Sequence, residues 1–230
     1  MDQSYDKTEG IIIGVDLGQL HDYTAITGIE IVQEYELEQE PIGQGASMTM
    51  GRYSKNKDAR YHVRHLERLR LNTPYDKQVE RVQEIFKNIE DSEGKRPALV
   101  IDSTGVGKPV FDMFKAAGLP PIGISIHSGA KTTLENSIYH VPKRDLVGVL
   151  QVLYANQRIK ISGLLKEREQ LNKELLNFKV KINEQTGHDS YAAWREKDHD
   201  DLVLSVAIGC WYGEKTKFSR THITRAMLGL

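Results

Sequence analysis

Apolar positions along the chain change period several times, and each change marks an element. Residues 11–17, IIIGVDL, are apolar or glycine except at Asp16 and predict a buried strand. Residues 23–32, YTAITGIEIV, are rich in β-branched types with rough alternation and predict a second. GQLHD between them supplies a turn, so the two read as a hairpin. Residues 33–51 are acidic and then rich in Gly, Ser and Met, and read as a loop or irregular insertion. Residues 60–71, RYHVRHLERLRL, alternate near their centre and predict a third strand with a basic outer face. Pro74 opens a helix over 75–91, where Val79, Val82, Ile85, Phe86 and Ile89 recur at helical spacing.

The second half alternates strands and helices. PALVID (97–102) predicts a short strand ending in an acid, and the Gly-rich STGVG leads into a helix over 108–117. PIGISIH (121–127) is a further strand, a helix begins near Pro142, and RIKI is a very short strand. LLKEREQLNKELLNFK is a helix with many i,i+4 charge pairs. KVKIN and SYAAW suggest a late hairpin near 179–192, turned at Gly187. DDLVLSVAIGCWYG is a last helix with a wide apolar face. The order predicts an α/β fold: a mixed sheet, antiparallel strands first and parallel strands after, flanked by helices. One domain over 1–230 is expected, with loose ends at 1–9 and 216–230.

Composition narrows the class. No apolar run approaches the ~20 residues of a membrane span, and the polar, acidic MDQSYDKTEG is not a signal peptide. A single cysteine, Cys210, excludes an internal disulfide and a cysteine zinc site, and favours a reducing, intracellular setting. Net charge is −1, which does not announce a nucleic-acid binder, but the distribution says more. Residues 30–40 hold five glutamates and no Lys or Arg, whereas 52–70 hold seven Lys/Arg and two acids. At period two, Arg60, Arg64, Arg68 and Arg70 share one face and would meet phosphates without reading sequence. Lys131, Lys143 and Arg144 flank the later strands and would extend that track. The plainer alternative is a solvated face of mixed charge.

The acids carry the chemistry. Asp16 and Asp102 end predicted strands, and Asp200 and Asp201 begin the last helix. In open α/β sheets, sites gather at such strand ends. Two unit charges ~4 Å apart repel by about 4 kcal/mol at a partly screened dielectric. No lysine or arginine adjoins Asp16 or Asp102 in sequence. Hard divalent cations, Mg²⁺ or Mn²⁺, are the natural filler, and two such ions ~3.5–4 Å apart cleave phosphodiesters. Taken singly, Asp200 and Asp201 also read as helix caps and Asp102 as a turn former. Asp16 resists such a reading, because the apolar run before it implies burial. Gly14 and Gly18 beside it leave room for close backbone or substrate approach. STGVGKPV is not a phosphate loop, since Asp102 stands where its first glycine belongs and Pro109 where Ser or Thr belongs. G-x-S-x-G and H-E-x-x-H are both absent.

IIIGVDLGQLHDYTAI, ALVIDSTGVGKPVFDMF and DHDDLVLSVAIGCW, in this order and spacing, resemble the C-terminal nuclease domain of the large terminase subunit of tailed bacteriophages. The resemblance runs from about 10 to 213, and HDD before an apolar helix is its most specific part. It implies a ribonuclease H-like fold and a metal-dependent endonuclease that cuts concatemeric viral DNA during genome packaging, leaving 3′-hydroxyl and 5′-phosphate ends. By motif, Asp16, Asp102 and Asp201 match the catalytic and metal-binding acids for two Mg²⁺ or Mn²⁺ ions. Asp200 matches as an auxiliary, and Asp22 as a group reaching metal through water. The implied partners are double-stranded DNA, an ATPase motor domain, the small terminase subunit and the portal, with no membrane, in the host cell cytoplasm. The alternatives are a Holliday-junction resolvase or transposase-like nuclease of the same fold, and a DNA-binding module without catalysis. A sugar-kinase-like ATPase half-domain is a third, for which 230 residues are too few to supply both lobes.

Overall fold

The computed structural model describes residues 4–18, 22–41, 49–55, 58–104, 108–183 and 200–216. The strands are β1 (Ser4–Asp16), β2 (Ala25–Pro41), β3 (Thr49–Lys55), β4 (Arg60–Arg68), β5 (Ala98–Asp102), β6 (Pro121–His127), β7 (Thr133–Glu135), β8 (Ile138–Pro142) and β9 (Ile159–Ile161). The helices are α1 (Tyr75–Glu93), α2 (Lys108–Ala116), α3 (Lys143–Ala155), α4 (Arg168–Asn183) and α5 (Asp201–Thr216). One nine-stranded sheet runs β7-β8-β6-β5-β1-β2-β4-β9, with β3 paired to β2. β2 is antiparallel to β1, β3 and β4, while β5 is parallel to β1 and β6, and β6 is parallel to β8. The expected mixed sheet, antiparallel first and parallel after, is therefore present.

β1 lies in the middle and is buried on both faces, which is why its apolar run does not alternate. Ile13 and Val15 face one layer, with Ile26, Leu99 and Ile101, under α1 (Val79, Val82, Phe86) and α2 (Val110, Phe114). Ile12 faces the other, with Ala25, Ile29 and Val100, under α3, α4 and α5. Every residue of α5 from Asp201 to Gly213 is buried. A helix apolar all round belongs inside a core, and α5 is held between the sheet and its neighbouring helices. Among the described residues no helix is long and apolar enough to cross a membrane.

Four differences from the sequence reading have physical causes. β1 begins at Ser4, inside the expected loose end, because Ser4 to Thr8 continue the ladder against Glu36 to Val32. The acidic stretch 33–41 is not a loop: it extends β2, and β3 pairs with it in a register that sets Glu38 opposite Arg52. A small hairpin, β7–β8, turns at Asn136 and Ser137, both at positive φ. Residues 179–183, expected in a late hairpin, close α4 instead; the rest of that expected hairpin falls outside the described residues.

A fifth difference bears on the basic track. In the pairing of β4 with β2, Ile29 meets Val63 and Gly28 meets His65, so Arg64 is an extra residue, a β-bulge. Before it, Tyr61 and Val63 face the α5 layer; after it, Leu66 does. The bulge turns Arg68 to that layer as well, so Arg60, Arg64 and Arg68 do not share a face.

Candidate active site

Strand register brings the first two acids together. β1 and β5 are parallel with Val15 opposite Ile101, so the next residues, Asp16 and Asp102, end neighbouring strands side by side. Adjacent strands lie about 4.8 Å apart. Alternation sets Asp16 on the face of Gly14 and Ile12, and Asp102 on the face of Val100, which is the α5 side in both cases.

α5 delivers the third. A Cβ on Gly14 would stand 2.1 Å from the Ser205 carbonyl oxygen, and a Cβ on Gly209 would stand 3.6 Å from Ile12 Cγ2. The helix thus crosses β1 antiparallel, with Ser205 over Gly14 and Gly209 over Ile12. Thr27, opposite Gly14 in the ladder, bonds the Ser205 hydroxyl at 2.5 Å and fixes the same alignment. Four helical residues rise ~6 Å and two strand residues ~6.6 Å. One further step along both carries Asp16 to Asp201, the first residue of α5. Asp16, Asp102 and Asp201 therefore share one corner of the molecule.

Burial shapes their chemistry. Asp102 is 4% exposed and its Oδ1 accepts the Thr104 N–H at 2.7 Å. The turn-forming reading of Asp102 is correct, and it holds the carboxylate in place rather than competing with a role in the site. Asp201 is 4% exposed and its carboxyl is pushed up to about 7. Burial is the main cause; Arg68 opposes it, while the negative charges of Asp200, Glu174 and Asp22 add to it. Asp22 is exposed, and the chain brings it back against Gly18, whose Cβ would lie 2.1 Å from the Asp22 carbonyl. Gln78 of α1 pins this turn by donating to the Gly18 carbonyl at 3.1 Å.

Two further residues complete the corner. Arg68 ends β4 on the row that runs from Asp16 through Ala25. It donates to Glu174 Oε1 on α4, and its guanidinium lies 4.7 Å from the Tyr23 ring centre. Glu174 is buried and its Oε2 accepts the Val203 N–H at 3.1 Å. Burial holds Glu174 above the ordinary carboxylate range, against the pull of Arg68, Gln170 and that N–H. Sequence reasoning missed Glu174, yet a signal was there: it falls between Leu171 and Leu175, on the apolar stripe that α4 turns to the core. A charge on such a stripe needs a partner. The cation sought beside the acids is partly supplied by Arg68, distant in sequence and close in space.

The remaining basic residues divide. Arg70, exposed just past β4, lies at the same edge of the sheet as the acids. Lys131 follows β6, Lys143 and Arg144 follow β8, and Arg144 donates to the Ala130 carbonyl at 2.6 Å. Because β5, β6 and β8 are parallel, these three also sit at the edge where Asp102 ends β5. Arg60, paired with Asp6, and Arg64, paired with Glu30 at 2.9 Å, lie on the opposite face of the sheet from Arg68.

Among the described residues, no three His, Cys, Asp or Glu side chains stand already grouped to hold a metal ion. The donor set is nonetheless the one a hard divalent ion takes: carboxylate oxygens only, on adjoining positions of the backbone.

No protein-family model and no curated protein matches the sequence. Among solved structures, the chain is similar to the human cytomegalovirus terminase nuclease domain, with a TM-score of 0.51 and 13% identity over 96% of this chain and 88% of that one. A Mn-soaked structure of that domain follows at a TM-score of 0.45 and 10% identity, over 88% and 82%. T. thermophilus RuvC in complex with Holliday junction substrate follows at 0.37 and 10%, over 91% and 96%. The first similarity shows the fold: the chain has the ribonuclease H-like architecture that its motifs implied.

Proposed function

We propose that the chain is a metal-dependent DNA endonuclease, with Asp16, Asp102 and Asp201 as its metal-binding acids. One observation carries this reading: register and helix packing bring three acids from distant segments to one corner of a ribonuclease H-like sheet. Asp102 and Asp201 are buried and Asp16 half-buried beside them, a placement that costs stability unless a partner or cation offsets it.

Mg²⁺ or Mn²⁺ held there would activate a water for in-line attack on a phosphodiester and neutralise the departing oxygen. The chain's own groups do the rest. The Thr104 N–H holds the Asp102 carboxylate in one orientation. Asp201, pushed up to about 7, carries a proton for part of the time at neutral pH until a cation displaces it. Asp200 and Asp22 add negative potential around it. Arg70, Lys131, Lys143 and Arg144, at the same edge, meet the phosphates on either side of the cut. Cleavage of concatemeric viral DNA during packaging, together with an ATPase motor, a small terminase subunit and a portal, is the setting in which this activity fits the sequence motifs.

A plasmid digest tests the reading. With Mn²⁺ or Mg²⁺ the protein nicks and linearises supercoiled plasmid, EDTA stops it, and Asp102→Ala lowers the rate at least about a hundredfold, or ~2.7 kcal/mol of barrier. A four-way junction added as a second substrate is cut no faster than linear duplex. Asp102→Ala cleaving like wild type overturns the assignment, and strict preference for the junction replaces packaging with resolution.

A further inference from the structure

We infer that Glu174, gripped by Arg68, is a positioning residue that fixes Asp201 over the ends of β1 and β5. The inference rests on the nuclease reading of that corner. α5 starts with the Asp200 carbonyl accepting the Leu204 N–H at 2.9 Å, which makes Asp200 the cap, Asp201 the first helical residue and Val203 the third. The third N–H of a helix has no partner within its own helix, and a side chain of the cap residue commonly takes it. Here Glu174 takes it from another helix, at 3.1 Å. The height and rotation of the first turn of α5 are thereby referred to α4.

Arg68 refers them to the sheet. It holds the other oxygen of Glu174, which Gln170 also reaches at 3.2 Å. Arg68 stands in the same row as Asp16, two strands away through Ala25. Tyr23, beside the β1–β2 turn, stacks on its guanidinium. A continuous line of contacts thus runs from the row of Asp16 to the turn that carries Asp201. Groups that orient metal ligands from behind typically change metal affinity or activity about 10–100-fold when altered.

Reach and charge separate in two variants. Glu174→Asp keeps the charge but is one methylene too short to span Val203 and Arg68 together. Glu174→Gln keeps the length and one acceptor for the Val203 N–H, but loses the charge and turns its amide NH₂ toward the Arg68 and Gln170 donors. The measurement is the Mn²⁺-induced rise in Tm of the DNA-free protein, titrated with MnCl₂, beside the plasmid digest at each Mn²⁺ concentration. Glu174→Asp should need about 10–100-fold more Mn²⁺ for half of the effect in both assays. Glu174→Gln, which leaves the largely buried Arg68 guanidinium without its carboxylate, should likewise need about 10–100-fold more Mn²⁺. If Glu174→Asp does not fold, Arg68→Lys, which shortens the grip without changing the charge, carries the same expectation of weakened Mn²⁺ binding. An impaired Gln variant beside a normal Asp variant makes Glu174 a mere charge and overturns the inference. So does a Glu174→Asp protein with wild-type Mn²⁺ dependence. Wild type showing neither Mn²⁺-induced stabilisation nor cleavage overturns the nuclease reading itself.

Discussion

Gly14→Ala is the sharpest probe of how α5 meets the sheet. The added Cβ would stand 2.1 Å from the Ser205 carbonyl oxygen and must retreat about 0.9 Å to clear the 3.0 Å below which such contacts do not occur. Neither partner yields easily. Gly14 is in the central strand, laddered to Thr27 and Val100 on its two sides. Ser205 is backbone in a helix that is buried throughout its first thirteen residues. Overpacking of this kind costs ~1–3 kcal/mol, and a backbone obstacle puts Gly14→Ala near the upper end, at about 3 kcal/mol. A chain of this length loses roughly 2–4 °C per kcal/mol, so Tm should fall by about 6–12 °C. Gly148→Ala in α3 is the control, because its Cβ would meet nothing within 4 Å. There the helix-propensity gain of up to ~1 kcal/mol should raise Tm slightly. Thermal unfolding in EDTA, followed by circular dichroism, reads both. The plasmid digest at a temperature where Gly14→Ala is folded reads the second consequence, since lifting α5 moves Asp201 from the other two acids. A Gly14→Ala protein that melts with wild type and cuts at the wild-type rate refutes the packing that brings Asp201 to Asp16.

The β-bulge at Arg64 predicts which arginines matter to DNA. Lys131→Ala and Arg144→Ala should each weaken duplex binding and lower the slope of log affinity against log salt by about 1, whereas Arg60→Ala and Arg64→Ala should leave that slope unchanged; fluorescence anisotropy at several salt concentrations checks it. Asp201 predicts a pH dependence of metal-free stability. Its folded value, about 7, lies above its ordinary 3.8, so the folded state binds the extra proton between them and stability falls as pH rises through that window. Asp201→Asn removes the cost of the buried charge, and in EDTA it should raise Tm more at pH 8 than at pH 5. An equal gain at the two values would mean that the carboxyl is not raised.

The central frame was legible because each piece carried a local signature. β1 was readable as a buried strand from IIIGVDL alone, and α5 as a helix with a wide apolar face from DDLVLSVAIGCWYG. The acids stood out too, since Asp16 and Asp102 come at the ends of apolar runs and Asp201 comes just before one. What escaped depended on pairing. The stretch 33–41 looks like a loop because its glutamates disfavour strands in isolation, and it becomes strand because β1 and β3 lie beside it. The bulge at Arg64 leaves no mark in RYHVRHLERLRL, where strict alternation is the simplest reading. Yet that one extra residue decides that Arg68 enters the acidic corner while Arg60 and Arg64 face away from it.

No lysine or arginine adjoins Asp16 or Asp102 in sequence, which by itself would leave the balance entirely to metal. In space, the described residues bring Arg68 to the corner, but it is already engaged by Glu174. A single guanidinium cannot neutralise both Glu174 and Asp201, and Asp201 is raised first by its burial and then by the negative charges of Asp200, Glu174 and Asp22. Protonation of Asp201 relieves the excess negative charge at low pH, and a divalent cation relieves it at neutral pH. The two compete for one carboxylate. Mn²⁺ should therefore stabilise the protein far more at pH 8 than at pH 5.5, and Asp201→Asn should abolish most of that difference. A Mn²⁺-induced shift in Tm that is independent of pH would place the ion on other residues.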